Sequence, residues 1–342
     1  MVARGAEIMK KYVSELAEGV PVDSIFALRS KEMRSARTGE AYLALELADR
    51  TGQISAVYFR PPEGATTVPV GAVVHVSGRV TTFRAIKRIV VDSLSPATRW
   101  DPSDLLARSS RAAEELGAEF KQLVARVKDP VLRAVLRGVF GDRGFFARFC
   151  ECPGSQSYHH AYLGGLLEHT VAVARLCQAL GEYYEGVDTD VLLAAALLHD
   201  VGKCDELAYD TAIEFTDEGR LLGHVALGLS RIRGAARRAQ NSSRGPDRLL
   251  KLEHAVLSHH GELEWGSPKR PSTIEALLLH HADNLDAKAA GFSALLGAAA
   301  RVDEAWTDSA NLFRRPLWAP RAAEDERPFA PIEDAPFEVM SA

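Results

Sequence analysis

Two hydrophobic rhythms divide the chain. From Ser24 to about Leu94, apolar and polar residues alternate in Ala41-Tyr42-Leu43-Ala44-Leu45-Glu46-Leu47, in Gln53-Ile54-Ser55-Ala56-Val57-Tyr58-Phe59 and in Val73-Val74-His75-Val76-Ser77-Gly78-Arg79-Val80. A period of two places one face of a strand in a core. Turn signals at Thr38-Gly39, Asp49-Arg50-Thr51-Gly52 and Val70-Gly71 punctuate these runs at short spacing. About five short strands so close together predict a small closed barrel, because closure removes exposed strand edges. A short helical pattern over residues 1–20 precedes it and breaks at Val20-Pro21-Val22.

After Trp100-Asp101-Pro102-Ser103-Asp104 the period changes to that of helices. They are predicted at 103–126 with Ser103 as N-cap, then at 129–139, 143–149, 163–182, 188–199, 220–239, 246–259 and 272–289. Loops carry the Gly, Pro and Ser, as in Asn241-Ser242-Ser243-Arg244-Gly245-Pro246. Beyond about Trp318 the chain becomes proline-rich and acidic, and a poorly ordered or assembly tail is expected there. The expected architecture is multidomain β + α: a five-stranded barrel over 1–98, a helical linker over 99–142, an all-α domain over 143–315 and the tail over 316–342.

Composition narrows the class. A chain of 342 residues is too long for one ordinary core, and 46% apolar with 25% charged residues are the proportions of a soluble globular protein. The longest apolar runs, such as Val191 to Leu198, fall short of the roughly 18 residues of a membrane span. Glu7 and Glu15 among basic residues leave no apolar signal-peptide core, so a cytoplasmic location is expected. Four cysteines make no disulfide framework. Residues 1–99 hold 14 Lys/Arg against 10 Asp/Glu, a balance of +4 that leaves −9 for the remainder. A basic front end favours a polyanionic ligand.

Histidine changes the picture further. Ten of the eleven lie between 159 and 281, and His75 alone lies outside. In Leu197-Leu198-His199-Asp200-Val201-Gly202-Lys203 an apolar helix delivers a His-Asp pair at its C-terminal end, and Gly202 is expected to let the backbone turn away. Adjacent helical residues point about 100° apart, so both reach one metal only near a helix end. Imidazole with carboxylate suits Mn, Fe, Co or Zn better than Mg or Ca. His169 starts another apolar helix, His224 follows Gly223 at a helix start, and His259-His260 end a helix. His280, Asp283 and Asp286 share one helix face, being three residues apart.

The order His, His-Asp, His, His-His, Asp on consecutive helices resembles the HD-domain superfamily of metal-dependent phosphohydrolases. The runs "YLALELADRTGQISAVYF" and "VVHVSGRV" resemble the nucleic-acid-binding OB-fold over about residues 22–96. With "HHAYLGGLLEHTVAVARL", "LLAAALLHDVGK", "GHVALG", "LSHHGELEWGSPKRP" and "EALLLHHADNLDAK" behind that barrel, residues 22–315 are similar to the YhaM family of 3′–5′ exoribonucleases. The implied fold is an OB-like five-stranded barrel followed by an all-α HD domain. The implied activity is metal-dependent 3′–5′ phosphodiester hydrolysis of single-stranded RNA, with single-stranded DNA as a further candidate.

The resemblance also assigns roles. His169, His199, Asp200 and Asp283 match the ligands of a first metal, and His224 and His259 match those of a second, with Asp200 bridging. His260 matches a neighbouring second-metal or phosphate-contacting histidine, and Lys203 a lysine beside substrate phosphate. Asp200 and Lys203 are thus the expected catalytic pair. The implied cofactor is a divalent metal, two ions, with Mn foremost and Co, Fe or Mg as alternatives. Other positions have their own readings: His280 orients a ligand, His254 is structural, and His281 and Asp286 lie at the surface or behind the ligands. His159 and His160 either contact phosphate or stabilise a loop. "HHGELEWGSPKRP" resembles the HHE…GYP stretch of cyclic-dinucleotide phosphodiesterases, but the Gly-Tyr-Pro is absent, which argues against cyclic di-GMP.

OB barrels bind single strands by stacking bases on aromatics in a basic groove. Arg34, Arg37, Tyr42, Tyr58, Phe59, Phe83, Lys87 and Arg88 are available for this, although each aromatic equally fits a barrel core. Self-association into a homo-oligomer is expected. Two rival readings stay open on the sequence: a hydrolase of small nucleotides with a regulatory barrel, and a non-catalytic nucleic-acid-binding protein.

Overall fold

A computed structural model describes residues 10–35, 39–83, 86–239, 246–301 and 305–319. Strands β1 (Pro21–Ser35), β2 (Ala41–Asp49), β3 (Gly52–Phe59), β4 (Val73–Phe83) and β5 (Ile86–Pro96) close into a barrel in the order β1-β2-β3-β5-β4. Only the closing β3–β5 pair is parallel. The period-two pattern turns Leu43, Leu45 and Leu47 of β2 into the interior, where they meet Phe26, Val76 and Ile89. Helix α1 (Glu63–Thr67) lies between β3 and β4, with Ala65 packed into the barrel core.

Helices α2 (Pro102–Leu105), α3 (Ala113–Arg126), α4 (Pro130–Phe140), α5 (Arg143–Glu151), α6 (Gly165–Tyr183) and α7 (Thr189–Leu198) follow. The single helix expected over 103–126 is interrupted. Leu106 is extended, and Arg108 bridges Leu163 instead of continuing a helix. The cap of α2 is Asp101, whose carboxylate accepts from the Ser103 amide, because Pro102 takes the first helical position. Asp129, Asp142 and Asp188 cap α4, α5 and α7 in the same way.

Every residue from Val191 to Leu198 is buried. A helix apolar on all sides belongs at the centre of a core, and α7 shares its core with α3, α4, α5, α6 and α10. The stretch expected as a linker contributes Leu116, Phe120, Leu132 and Leu136 to that core, and the Phe120, Phe140 and Phe149 rings pack with centroids about 5 Å apart.

Helix α8 (Lys203–Glu206) and a small hairpin of β6 (Leu207–Ala208) and β7 (Glu214–Phe215) lead into α9 (Asp217–Ala239), α10 (Pro246–Ser258) and α11 (Ile274–Arg301). α9 is broken at Gly223, whose φ of 72° and ψ of 156° suit glycine and restart the helix at His224. From Ala289 the chain belongs to a second compact unit, in which Phe292 packs on Phe313 and Trp306 pairs with Trp318. Residues 320–342, most of the expected tail, lie outside the described residues. Among the described residues no helix is long and apolar enough to cross a membrane.

Candidate metal centre

Two of the predicted ligand histidines stand where helices end. The last carbonyls of a helix lack intrahelical partners. His199, just past α7, places its Nδ1 2.8 Å from the Ala196 carbonyl, and His259, just past α10, places its Nδ1 2.7 Å from that of Val256. Each ring thus satisfies a helix end and directs Nε2 into the interior. The other rings are held by the same nitrogen: His169 on Asp286 at 2.6 Å, His224 on Glu206 at 3.0 Å and His260 on the Trp265 carbonyl at 3.1 Å. An acceptor on Nδ1 fixes the tautomer that leaves an Nε2 lone pair for a cation.

Those five Nε2 atoms form two sets around Asp200. On one side, Asp200 Oδ2 lies 3.5 Å from His169 and 3.4 Å from His199, while Asp283 Oδ1 lies 3.1 Å and 3.9 Å from the same two nitrogens. On the other, Asp200 Oδ1 lies 3.5 Å from His224 and 3.6 Å from His259, and His224 and His260 bring their Nε2 atoms within 3.2 Å of each other. Ligands about 2.1 Å from a common ion stand roughly 3.0–3.4 Å apart when adjacent and about 4.2 Å apart when opposite. The observed separations fall close to that range. Asp200 offers one oxygen to each set.

The donor set fits a cation on a second count. Asp200 Oδ1 and His259 Nε2 are buried and face each other without a hydrogen-bond partner among the described residues. Such orphaned polar atoms are costly unless something binds them. Burial lowers the pKa of His259, which favours the neutral ring that a cation would need, and burial with the neighbouring His259 and His224 pushes His260 down to about 3. Burial also disfavours the charged form of His169, but its hydrogen bonds to Asp283 and Asp286 outweigh that and hold it at about 9.

Lys203 opens α8 with its ammonium 2.5 Å from Asp200 Oδ2. It is buried, which excludes a solvated helix cap, and although burial works against its charge, Asp200 more than compensates and its pKa is raised. Gly202 is not a turning point: its φ of −69° and ψ of −16° are helical. It is small because a Cβ there would overlap the His224 carbonyl and the Gly228 amide of α9. That close approach brings His224 beside Asp200.

An HD domain model matches residues 166–288. The 3′–5′ exoribonuclease YhaM of Halalkalibacterium halodurans is 32% identical over 274 residues, covering 79% of this chain and 84% of that protein. YhaM of Bacillus subtilis is likewise 32% identical over 274 residues, covering 79% and 86%. The chain belongs to the YhaM exoribonuclease family. The second OB-fold domain of replication protein A from Methanococcus maripaludis is 24% identical, over 27% of this chain and 99% of that domain, at a TM-score of 0.23.

Within this YhaM-family chain the predicted ligands His169, His199, Asp200, His224, His259 and Asp283 come together, and His260 joins the second set. His280 is not among them: its Nδ1 faces the His259 carbonyl at 2.9 Å. His254 accepts from the Ser272 amide and His281 is exposed. His160 bonds Tyr162 and Asp286 behind His169. The His159 ring lies 5.4 Å from that of His169, and burial with the nearby Lys203 charge lowers its pKa to about 3. Sequence reasoning missed Glu206, which accepts from both the amide and the ring of His224. Nothing in a lone glutamate after "HDVGKCD" signals that role.

On the barrel, Arg34, Tyr42, Phe83 and Arg88 line one groove, with the Arg88 guanidinium 4.4 Å above the Phe83 ring. Phe59 is exposed beside Tyr42. Tyr58 does not belong there: it is in the barrel core, its hydroxyl donating to the Asp92 carbonyl. Lys87 also falls off the groove, its ammonium reaching the Leu16 carbonyl. Strand neighbours point to opposite faces, so Phe59 and Arg88 exclude Tyr58 and Lys87. Arg37 lies outside the described residues.

Proposed function

We propose that this chain is a divalent-metal-dependent exoribonuclease that shortens single-stranded RNA from its 3′ end. The observation that carries this is Asp200, whose two carboxylate oxygens face two separate histidine sets. His169, His199, Asp200 and Asp283 would hold one ion, and His224, His259, His260 and Asp200 the other. Manganese suits a mixed imidazole and carboxylate set, with cobalt, iron or magnesium as alternatives. The 3′ direction and the RNA substrate come from the names of the relatives.

A pair of divalent ions supplies Lewis-acid charge and an acidified water at a phosphodiester. The protein's residues prepare that chemistry. Five anchored imidazoles are fixed in one tautomer, and Asp286 and Glu206 hold two of them by their outer nitrogens. The Lys203 ammonium sits at the Asp200 edge, from which its flexible stem can follow a phosphate oxygen through the reaction. Buried walls around His169, His199 and His259 exclude bulk water and strengthen each charge interaction. The barrel groove offers Arg88 for backbone phosphates, with Arg34 paired to Glu32 in the same groove, and Tyr42 and Phe83 for bases.

End-labelled single-stranded RNA, single-stranded DNA and free nucleotides, each with Mn, Co, Mg or Zn, test the proposal. A 5′-labelled RNA that shortens stepwise supports it. Turnover of free nucleotides without RNA shortening would make the protein a small-nucleotide hydrolase instead.

A further inference from the structure

The metal centre continues into a groove that the reaction chemistry leaves unused. His169, His199 and His259 are no more than 1% exposed, whereas the His224 side chain is 13% exposed. The His224–His260 edge of the centre is therefore open. From it a groove runs along α9, lined by Leu222, His224, Arg233, Arg237, His260 and Trp265. His224 and Arg237 are thirteen residues apart, which on a helix is about 20 Å. The groove is longer than a phosphate requires.

Its chemistry is mixed in an informative way. Trp265 is 54% exposed on a short helical turn, Leu263–Trp265, that faces the groove, while its carbonyl anchors His260. The His280 ring lies tilted 5.9 Å from the indole and the Lys288 ammonium 5.8 Å from its centroid, which leaves the exposed part of the ring as a stacking surface, and Leu222 and Leu257 give the same groove an apolar wall. The two arginines differ. Arg233 donates from Nε at 3.0 Å and from Nη2 at 2.7 Å to one oxygen, Oε2, of Glu253. Arg237 has no carboxylate partner among the described residues, so its charge is available to an anion.

We infer that this groove is a nucleotide subsite, in which Trp265 stacks the base of a nucleotide adjoining the bond to be cleaved and Arg237, farther along α9, pairs a phosphate some nucleotides removed from that bond. The inference rests on the nuclease reading of the same centre but adds a site to it. An aromatic platform with an unpaired arginine binds any base, as removal of successive nucleotides demands. Bases stack on aromatic side chains without regard to sequence.

Three measurements on the manganese-loaded full chain test it. Adenosine 5′-monophosphate should quench Trp265 fluorescence in the wild type, and the quenching should vanish in Trp265→Phe while the titration by another method, such as calorimetry, still detects binding. Trp265→Ala should raise KM for a short RNA by roughly 5- to 150-fold, the span of base–aromatic stacking. Its loss on bis-p-nitrophenyl phosphate, which lacks a base, should be much smaller. Arg237→Ala should flatten the logarithmic salt dependence of RNA binding by about 0.7, the share of one phosphate contact on a single strand. Equal losses on the two substrates, at unchanged metal content, would overturn the subsite, as would quenching that survives in Trp265→Phe. Wild-type turnover of the RNA is measured first. Its absence would sink the nuclease reading, while nucleotide quenching would still report on the groove.

Discussion

Asp200 works by position more than by type. It follows His199 at the end of α7, and its Oδ2 and Oδ1 face different pairs of imidazoles. Lys203 meets the same carboxylate at 2.5 Å, so its charge already lies at the edge where a phosphate would be held. Lys203→Ala is expected to keep the fold and the metal while lowering kcat/KM by roughly one to three powers of ten, about 1.4 to 4 kcal/mol. Metal content and single-turnover rates check this. Loss of metal in the variant would mean that Lys203 supports Asp200 rather than the substrate. His254→Ala, by contrast, removes only an acceptor for the Ser272 amide and should leave most activity. Measurement of both variants under one condition separates the two roles.

Helix ends make the site. His199 and His259 follow α7 and α10, and His224 restarts α9 at Gly223, so the proposed ligands are presented by elements whose bodies form the core. The contact between Gly202 and α9 joins two of these elements. Gly202→Val must displace the His224 backbone, and overpacking of this kind costs about 1–3 kcal/mol. We expect a lower thermal midpoint together with loss of the second metal and of activity. An unchanged midpoint with full activity would show that the two helices can part without disturbing the site. Much of this was legible in advance, because His-Asp after an apolar helix and histidines at helix boundaries are visible as a pattern. The role of Gly202 was not: a sequence cannot say whether a glycine is needed for its φ or for what lies beside it. Glu206 was hidden for a related reason, since its partner His224 is 18 residues away and reaches it only after the hairpin of β6 and β7 folds back.

At the scale of the molecule, a closed barrel precedes a helical HD domain, and the change of hydrophobic period foretold that succession of strands and helices; the small β6–β7 hairpin within the helical part was not foretold. Period two identified the barrel strands but left each aromatic ambiguous between core and surface. Register decides it, turning Tyr58 inward and Phe59 outward. If the barrel groove holds the strand, a combined Arg34→Ala, Tyr42→Ala and Arg88→Ala chain should lose affinity for a long oligonucleotide and show a shallower salt dependence, while turnover of a very short substrate changes less. Equal effects on long and short substrates would remove the barrel from strand binding. The central claim concerns the metal centre, and it is tested most directly by counting. Protein stripped with a chelator is titrated with manganese while bound metal and cleavage of end-labelled RNA are followed together, in the wild type and in Asp200→Ala. Two ions per chain are expected in the wild type, with cleavage appearing as the second binds, and no cleavage is expected from a folded Asp200→Ala chain. Full cleavage with a single bound ion, or an active Asp200→Ala chain, would contradict the two-ion centre.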